Sequence, residues 1–359
     1  MGTHFKSLLR GLGGVSKTSF RTVYADIPSY KIGVVGVPFS KGQANDEGVG
    51  RGPEILRKGG ILQELVELGH NVRDFGDINC EELASHPDQD PLQTKMKDLA
   101  EVAECNHQVS KKVREILSDG SKVLVLGGDH SVVVGSVDAH IRSKGDLGLI
   151  YVDAHADLNT ADTSPSGNVH GMTVALLVKE LNDYWPYLPG MDWQRPQLSV
   201  NNLAYIGLRS VDKFERLLLD KYSITAFGMA EVEKYGIHKV TEMALDKVDP
   251  MGTRSLQVSF DIDALDPLEA PATGVPVRGG LSLREGIHVL EIVHNTGRLN
   301  LMDIVEVNPV LGYQRDIKKT VEAAIHVVKA GFGFSRLGNI PKNTSDIPGR
   351  YSSFSKVKE

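Results

Sequence analysis

Leu147 to Thr160 reads LGLIYVDAHADLNT, six uncharged residues followed by Asp153, His155 and Asp157 at alternate positions. A continuous apolar run of this length fits a strand covered on both faces, as in a parallel sheet flanked by helices. Working outward, similar runs occur at KIGVVGVP (31–38), NVRDFGDI (71–78), KVLVLG (122–127), LAYIGL (203–208), YSITAF (222–227), LQVSFDID (256–263) and LNLMDIVEV (299–307). Stretches of helical period separate most of them, among them Ile55 to Leu68 and Met96 to Leu117. Strands alternating with helices imply an α/β fold with about eight parallel strands. Periodicity alone does not separate an open doubly wound sheet from a closed barrel. In either, the active site lies beyond the carboxyl ends of the strands. No repeat, low-complexity linker or boundary interrupts residues 31–335, so a single domain is expected.

The 359 residues carry 40 Lys and Arg against 46 Asp and Glu, a formal charge of -6, which gives no basic field for gripping nucleic acid. The charged fraction of 24% and hydrophobic fraction of 41% are globular values, which excludes wholesale disorder. No apolar run reaches the length of about 18 residues that a membrane-spanning helix needs. Two cysteines, Cys80 and Cys105, are too few for a disulfide scaffold or a Cys-rich zinc site, and point to a setting that does not rely on oxidation.

The first 25 residues contain no acidic residue up to Ala25, and Lys6, Arg10, Lys17 and Arg21 are spread among serines and threonines. Residues 1–30 therefore read as a leader with the composition of a mitochondrial transit peptide, and localisation as mitochondrial or cytoplasmic. Residues 337–359 are polar, with Pro341 and Pro348, and read as a mobile tail.

Two carboxylates and an imidazole projecting together from a strand end are costly to bury unless a cation is present. Two further strand ends add to the set: KVLVLGGDH ends with His130, and LQVSFDID ends with Asp261 and Asp263. His130, Asp153, His155, Asp157, Asp261 and Asp263 offer two imidazoles, four carboxylates and no thiolate. That set is too anionic for one ion and matches a carboxylate-bridged pair. Oxygen-rich ligation with some imidazole favours Mn(II), with Fe, Co or Zn as substitutes.

At these residues the chain closely resembles the ureohydrolases, and within them the arginases. The resemblance rests on GGDHS (127–131), DAHADLN (153–159), SGNVHG (166–171) and SFDIDALDP (259–267). It continues through PFSKGQ (38–43), GPEILRKGG (52–60), LPGMDW (188–193), YIGLR (205–209), GGLSLREG (279–286) and VEVNP (305–309). The segments recur in the family's order and spacing over about residues 31–336. The resemblance implies a three-layer doubly wound sheet as a catalytic domain over 31–336, and two Mn(II) ions held by the six donors. It further implies hydrolysis of L-arginine to L-ornithine and urea by a metal-bridging hydroxide that attacks the guanidinium carbon.

By the same resemblance Asp157 is the partner for the nucleophile's proton, His170 a proton shuttle for the leaving amine, and Glu306 the carboxylate that meets the guanidinium. Asn159, Ser166 and Asn168 would bind the substrate α-carboxylate, with Asp212 and Glu215 facing its α-ammonium. Two positions depart from the vertebrate pattern: Ser210 stands where an Asp is usual, and Val275 where a Thr is usual. The loop from Gln43 to Gly50 also differs, so no contacts are carried over there. A homotrimer is implied, with Arg284, Glu285 and Arg336 at positions used between subunits in some members. The alternatives are the same chemistry on agmatine, guanidinobutyrate or formiminoglutamate, a metal-free regulatory relative, and a zinc deacylase on a related sheet.

Overall fold

The structure, a computed structural model, describes residues 29–43, 48–80 and 95–339. Nearly all of the leader and of the tail thus lies outside the described residues. Eight strands form one sheet: β1 (Lys31–Val37), β2 (Asn71–Asp77), β3 (Lys122–Gly127), β4 (Leu147–Val152), β5 (Leu203–Leu208), β6 (Thr225–Gly228), β7 (Ser255–Asp261) and β8 (Leu299–Val305). Every pairing is parallel and the order is β2-β1-β3-β8-β7-β4-β5-β6. The sheet is open and doubly wound, which settles the choice between sheet and barrel. All eight strand expectations overlap observed strands, although the run read from Tyr222 enters β6 only at Thr225.

Helices cover both faces, as the wholly buried strands require. Successive residues of a strand point to opposite faces, and the core divides accordingly. Val123, Val125, Leu149 and Tyr151 join one cluster with α3 (Leu99–Ser118), α4 (Val133–Lys144), α5 (Thr173–Leu177) and α6 (Lys213–Lys221). Leu124, Leu126, Ile150 and Val152 join the other with α1 (Gly52–Lys58), α2 (Ile61–Glu67), α7 (Met229–Val248), α8 (Leu283–Asn295) and α9 (Gln314–Gly331). Each buried Val, Leu or Ile contributes about 1.5–3 kcal/mol, so these two layers can bear a charged cluster at the sheet's edge.

Two expectations are corrected. The helix read over Ile55 to Leu68 is two helices, because Gly60 takes a left-handed φ of 95° between α1 and α2. The two cysteines, too few for a scaffold, still make one bridge: Cys80, just past β2, is disulfide-bonded to Cys105 on α3. The chain folds α3 against β1 and the region beside β2, which brings residues 25 apart within 5.2 Å at Cα. No helix among the described residues is long and apolar enough to cross a membrane.

Candidate metal centre and active site

The six proposed donors and Glu306 lie at or just past the ends of β3, β4, β7 and β8, which are contiguous in the middle of the sheet. Ligand sites of open α/β sheets lie at this carboxyl edge, where connections leave in different directions. After β3 the chain must pass very close to the loop that follows β1. A Cβ on Gly128 would sit 1.8 Å from the carbonyl oxygen of Phe39, so only glycine fits. Asp129 is a strut there, accepting from Gly42 N at 2.8 Å and from Ser131 N at 2.9 Å, which delivers His130 to the site.

The donors after β4 and β7 are built alike. Asp153 Oδ1 accepts the backbone N–H of His155 at 2.7 Å, and Asp261 Oδ1 that of Asp263 at 2.8 Å. Each aspartate closes a local turn on the residue two ahead, a habit of the short acidic side chain. Asp153, His155 and Asp157 do converge, but by these turns and not by strand pleat, since β4 ends at Val152. Asp157 completes the turn in a left-handed conformation, φ 50°.

His130 Nδ1 lies 3.0 Å from Asp153 Oδ2, 3.1 Å from Asp261 Oδ2 and 3.3 Å from Asp157 Oδ2. His155 Nδ1 lies 3.1 Å from Asp263 Oδ2 and 3.5 Å from Asp153 Oδ1. His130, Asp153 and Asp157 form one group of converging donors; Asp153, His155 and Asp263 form a second, with Asp153 shared. His130 Nδ1, Asp153 Oδ2 and His155 Nε2 are buried with no hydrogen-bond partner. A buried polar atom without a partner loses its hydration uncompensated. Donor atoms about 3 Å apart are what a six-coordinate cation with bonds of about 2.1 Å requires. Two neighbouring cations therefore fit this donor set, which has a carboxylate to share between them.

The electrostatics also call for positive charge. Burial and the neighbouring Asp153 carboxylate push Asp157 up to about 7. Burial and the mutual repulsion of the aspartates likewise raise Asp261 and Asp263. Burial opposes the His130 and His155 imidazolium ions, but the surrounding carboxylates outweigh it, raising His130 well above its ordinary value and His155 to about 12. The His130 imidazole lies against three carboxylates and that of His155 against two, so the cluster favours positive charge at both places. The other side of the His130 ring is held by Ser259 Oγ, 2.8 Å from Nε2, which orients the donor nitrogen.

Glu306, just past β8, has a left-handed φ of 65°. Its Oε1 accepts the His130 backbone N–H at 2.8 Å, and its Oε2 accepts from the Gln43 side chain. His170 Nδ1 stands 3.5 Å from Glu306 Oε1. Burial disfavours the His170 imidazolium, yet the Glu306 carboxylate overcomes this and raises its pKa.

A cavity of about 160 Å³ opens above these groups, with His130, His155, Asp157, His170 and Glu306 in its wall. Asn159, Ser166, Asp212 and Glu215 line it too, as do Ser210 and Val275. Asn159 Nδ2 donates to Asp212 Oδ2 at 2.9 Å. Glu215 accepts from Leu158 N and Asp212 N, and with Asp212 forms the capping box of α6. Asn168 stands apart at the rim, its Oδ1 3.3 Å from Lys97 Nζ, and is not among the lining residues. A larger cavity of about 430 Å³ between β2 and α3 gathers lysines, Asp77, Glu115 and Gln108 but no converging donors.

Sequence reasoning missed Asp129, Ser259 and Gln43 as structural partners of the site. GGDHS and SFDID contain the first two, but only the fold shows what they touch.

An open parallel sheet with imidazoles and carboxylates at contiguous strand ends defines the class, an α/β protein with a carboxylate-rich cation site. A family model described as the Arginase family matches residues 30–333. Arginase-1 of Sus scrofa is 46% identical over 312 residues, 87% of this chain and 95% of that protein. Arginase-2, mitochondrial, of Mus musculus is 42% identical over 310 residues, 86% of each chain. Among solved structures, the arginase of Bacillus caldovelox aligns at 32% identity with a TM-score of 0.77, over 86% of this chain and 99% of that one. The chain belongs to the arginase family.

Proposed function

We propose that this chain hydrolyses L-arginine to L-ornithine and urea at a pair of Mn(II) ions. The observation that carries the reading is the two groups of donors sharing Asp153 directly beside Glu306 and His170 in one cavity. His130, Asp153, Asp157 and Asp261 would hold one ion, and Asp153, His155 and Asp263, with Asp261 beside them, the other. Bound divalent cations supply Lewis acidity and bring the pKa of water toward neutrality, which an electron-rich guanidinium carbon requires of its nucleophile.

The chain's own residues do the rest. Glu306, fixed by His130 N–H and Gln43, meets the guanidinium with charge-assisted hydrogen bonds. Asp157 Oδ2 accepts from Tyr151, so Oδ1 is the oxygen left to take up the attacking water's proton. His170, whose protonated form the neighbouring Glu306 carboxylate favours against burial, delivers a proton to the amine nitrogen of ornithine as the C–N bond breaks. Asn159 and Ser166, with Asn168 at the rim, bind the α-carboxylate, and Asp212 faces the α-ammonium. Glu215 acts there through its hold on Asp212 and Leu158.

The deciding experiment is urea release from arginine, agmatine and guanidinobutyrate with and without added Mn(II), run beside formamide release from formiminoglutamate, which yields no urea. Mn(II)-dependent turnover of arginine alone supports the reading, and turnover confined to one of the other three overturns the substrate.

The homotrimer and the import leader stand as proposals. Arg336 pairs with Glu291 of its own chain at 2.5 Å, and Glu285 caps α8 through Ser282, which leaves Arg284 exposed for a neighbour. Light scattering on the purified protein tests the first. Residues 1–30 fused to a reporter test the second by its site of accumulation.

A further inference from the structure

Tyr151, the penultimate residue of β4, is wholly buried. Its hydroxyl donates to Asp157 Oδ2 at 2.7 Å. Its ring lies flat on the His130 imidazole, with centroids 4.5 Å apart and planes 6° from parallel. Asp157 Oδ2 is in turn 3.3 Å from His130 Nδ1, so one side chain touches two of the proposed donors, brought from two different strands. Tyr151 is itself braced. Tyr205 on β5 packs edge-on against it at 5.5 Å, and the Tyr205 hydroxyl donates to the carbonyl of Ala156, the residue before Asp157, at 2.7 Å.

We propose that Tyr151 is a positioning residue for the cation pair, fixing the Asp157 carboxylate through its hydroxyl and the His130 ring through its face. The proposal rests on the two-ion reading above. A phenylalanine would fill the same volume and stack equally well, so the hydroxyl must be explained by the one acceptor it reaches. Asp157 is the donor that most needs such a hold. It sits at a left-handed φ beyond the end of β4, and neither of the turns that fix Asp153 and Asp261 reaches its side chain. Groups that hydrogen-bond a metal-binding carboxylate or hold a metal-binding imidazole pre-set its direction, and losing one typically lowers metal affinity about 10- to 100-fold. With Oδ2 engaged, the carboxylate cannot swing, and the same oxygen always faces the substrate.

The test uses the full chain, stripped with chelator and titrated with Mn(II) by calorimetry, with unfolding temperature followed in both states. The wild type is expected to bind two ions. Tyr151→Phe, which keeps the stack and deletes the hydroxyl, is expected to weaken one of the two by about 10- to 100-fold and to leave the other unchanged. The gap in unfolding temperature between loaded and stripped protein should narrow with it. Thr241→Val, which deletes a buried hydroxyl on α7 that donates to the Ile237 carbonyl at 2.8 Å and lines no part of the metal cavity, is expected to lower the unfolding temperature in both states while both binding constants stay as in the wild type. Wild-type constants for both ions in Tyr151→Phe overturn the proposal and leave the two-ion reading standing. An equal loss in Tyr151→Phe and Thr241→Val also overturns it, since the effect would then be general to the core. A wild-type chain that takes up no Mn(II) overturns the two-ion reading itself.

Discussion

Glu306 and His130 belong to different strand ends, yet the His130 backbone N–H donates to Glu306 Oε1 at 2.8 Å, tying the carboxylate proposed to meet the guanidinium to a proposed metal donor. The left-handed backbone at Glu306 keeps its side chain in the cavity wall.

Glu306→Gln retains an acceptor for that N–H and removes the charge. A hydrogen bond to a charged group is worth about 1.5–3 kcal/mol, so kcat/KM for arginine should fall by roughly 10- to 150-fold with Mn(II) content unchanged. Loss of bound metal in this variant would reassign Glu306 to support of His130.

His170→Asn should lower kcat about 10- to 1,000-fold, the range of lost acid-base help, while both ions remain bound. Steady-state kinetics beside metal analysis of the same sample checks this. Departure of the metals with the activity would make His170 structural.

Exhaustive chelation should abolish urea release, and Mn(II) should restore it at two ions per chain. Full activity at one ion per chain would contradict a shared Asp153.

His140 gives a stability prediction that does not involve the metals. It is buried between α4 and the sheet, with Nδ1 3.0 Å from Gln257 Oε1 and Nε2 2.6 Å from Ser255 Oγ. Burial, with Lys144 nearby, lowers its pKa to about 4, against about 6.5 for an unfolded histidine. The folded state thus favours the neutral ring. The stability it contributes is fully present above pH about 6.5 and is lost as pH falls toward 4, an effect of roughly 3 kcal/mol. Denaturant melts across that window should show the decline, and His140→Gln should flatten it. An unchanged slope in the variant would place the acid sensitivity elsewhere.

Substrate choice is tested at the rim. Ser166→Ala should cost arginine turnover about tenfold, one hydrogen bond to a charged group, and leave any turnover of agmatine, which has no carboxylate, unaffected. Val275→Thr should tighten arginine binding by roughly 0.5–1.5 kcal/mol. Equal losses on both substrates would mean that Ser166 shapes its loop and does not read the carboxylate.

The six inner strands were legible because each is a short apolar run, largely buried and bounded by polar residues, while the edge strands β2 and β6 are more exposed and gave weaker signals. Their order was not, since pairing between distant segments leaves no local trace. Asp153, His155, Asp157, Asp261 and Asp263 stood out as charges where hydrophobicity ends. Tyr151 did not, because an aromatic residue inside LGLIYV reads as core, and its hydroxyl gains meaning only when the chain turns back to place Asp157 beneath it. Gly59 and Gly60 could have warned that one helical stretch would break in two. No spacing rule pairs Cys80 with Cys105, because the packing of α3 against β1 brings them together.

β8 is the last strand in the chain but lies between β3 and β7 in the sheet. Synthesis runs from the N-terminus at about 5–20 residues per second, so β1–β3 and β4–β6 leave the ribosome well before the two strands that join them. Until then β3 and β4 are open edges, the kind of surface that invites pairing with other chains. His130 also has no fixed relation to Asp153 until then. A nascent or truncated chain that lacks β8 would hold two unconnected half-sheets with the proposed cation donors divided between them, so metal loading would have to follow completion of the polypeptide.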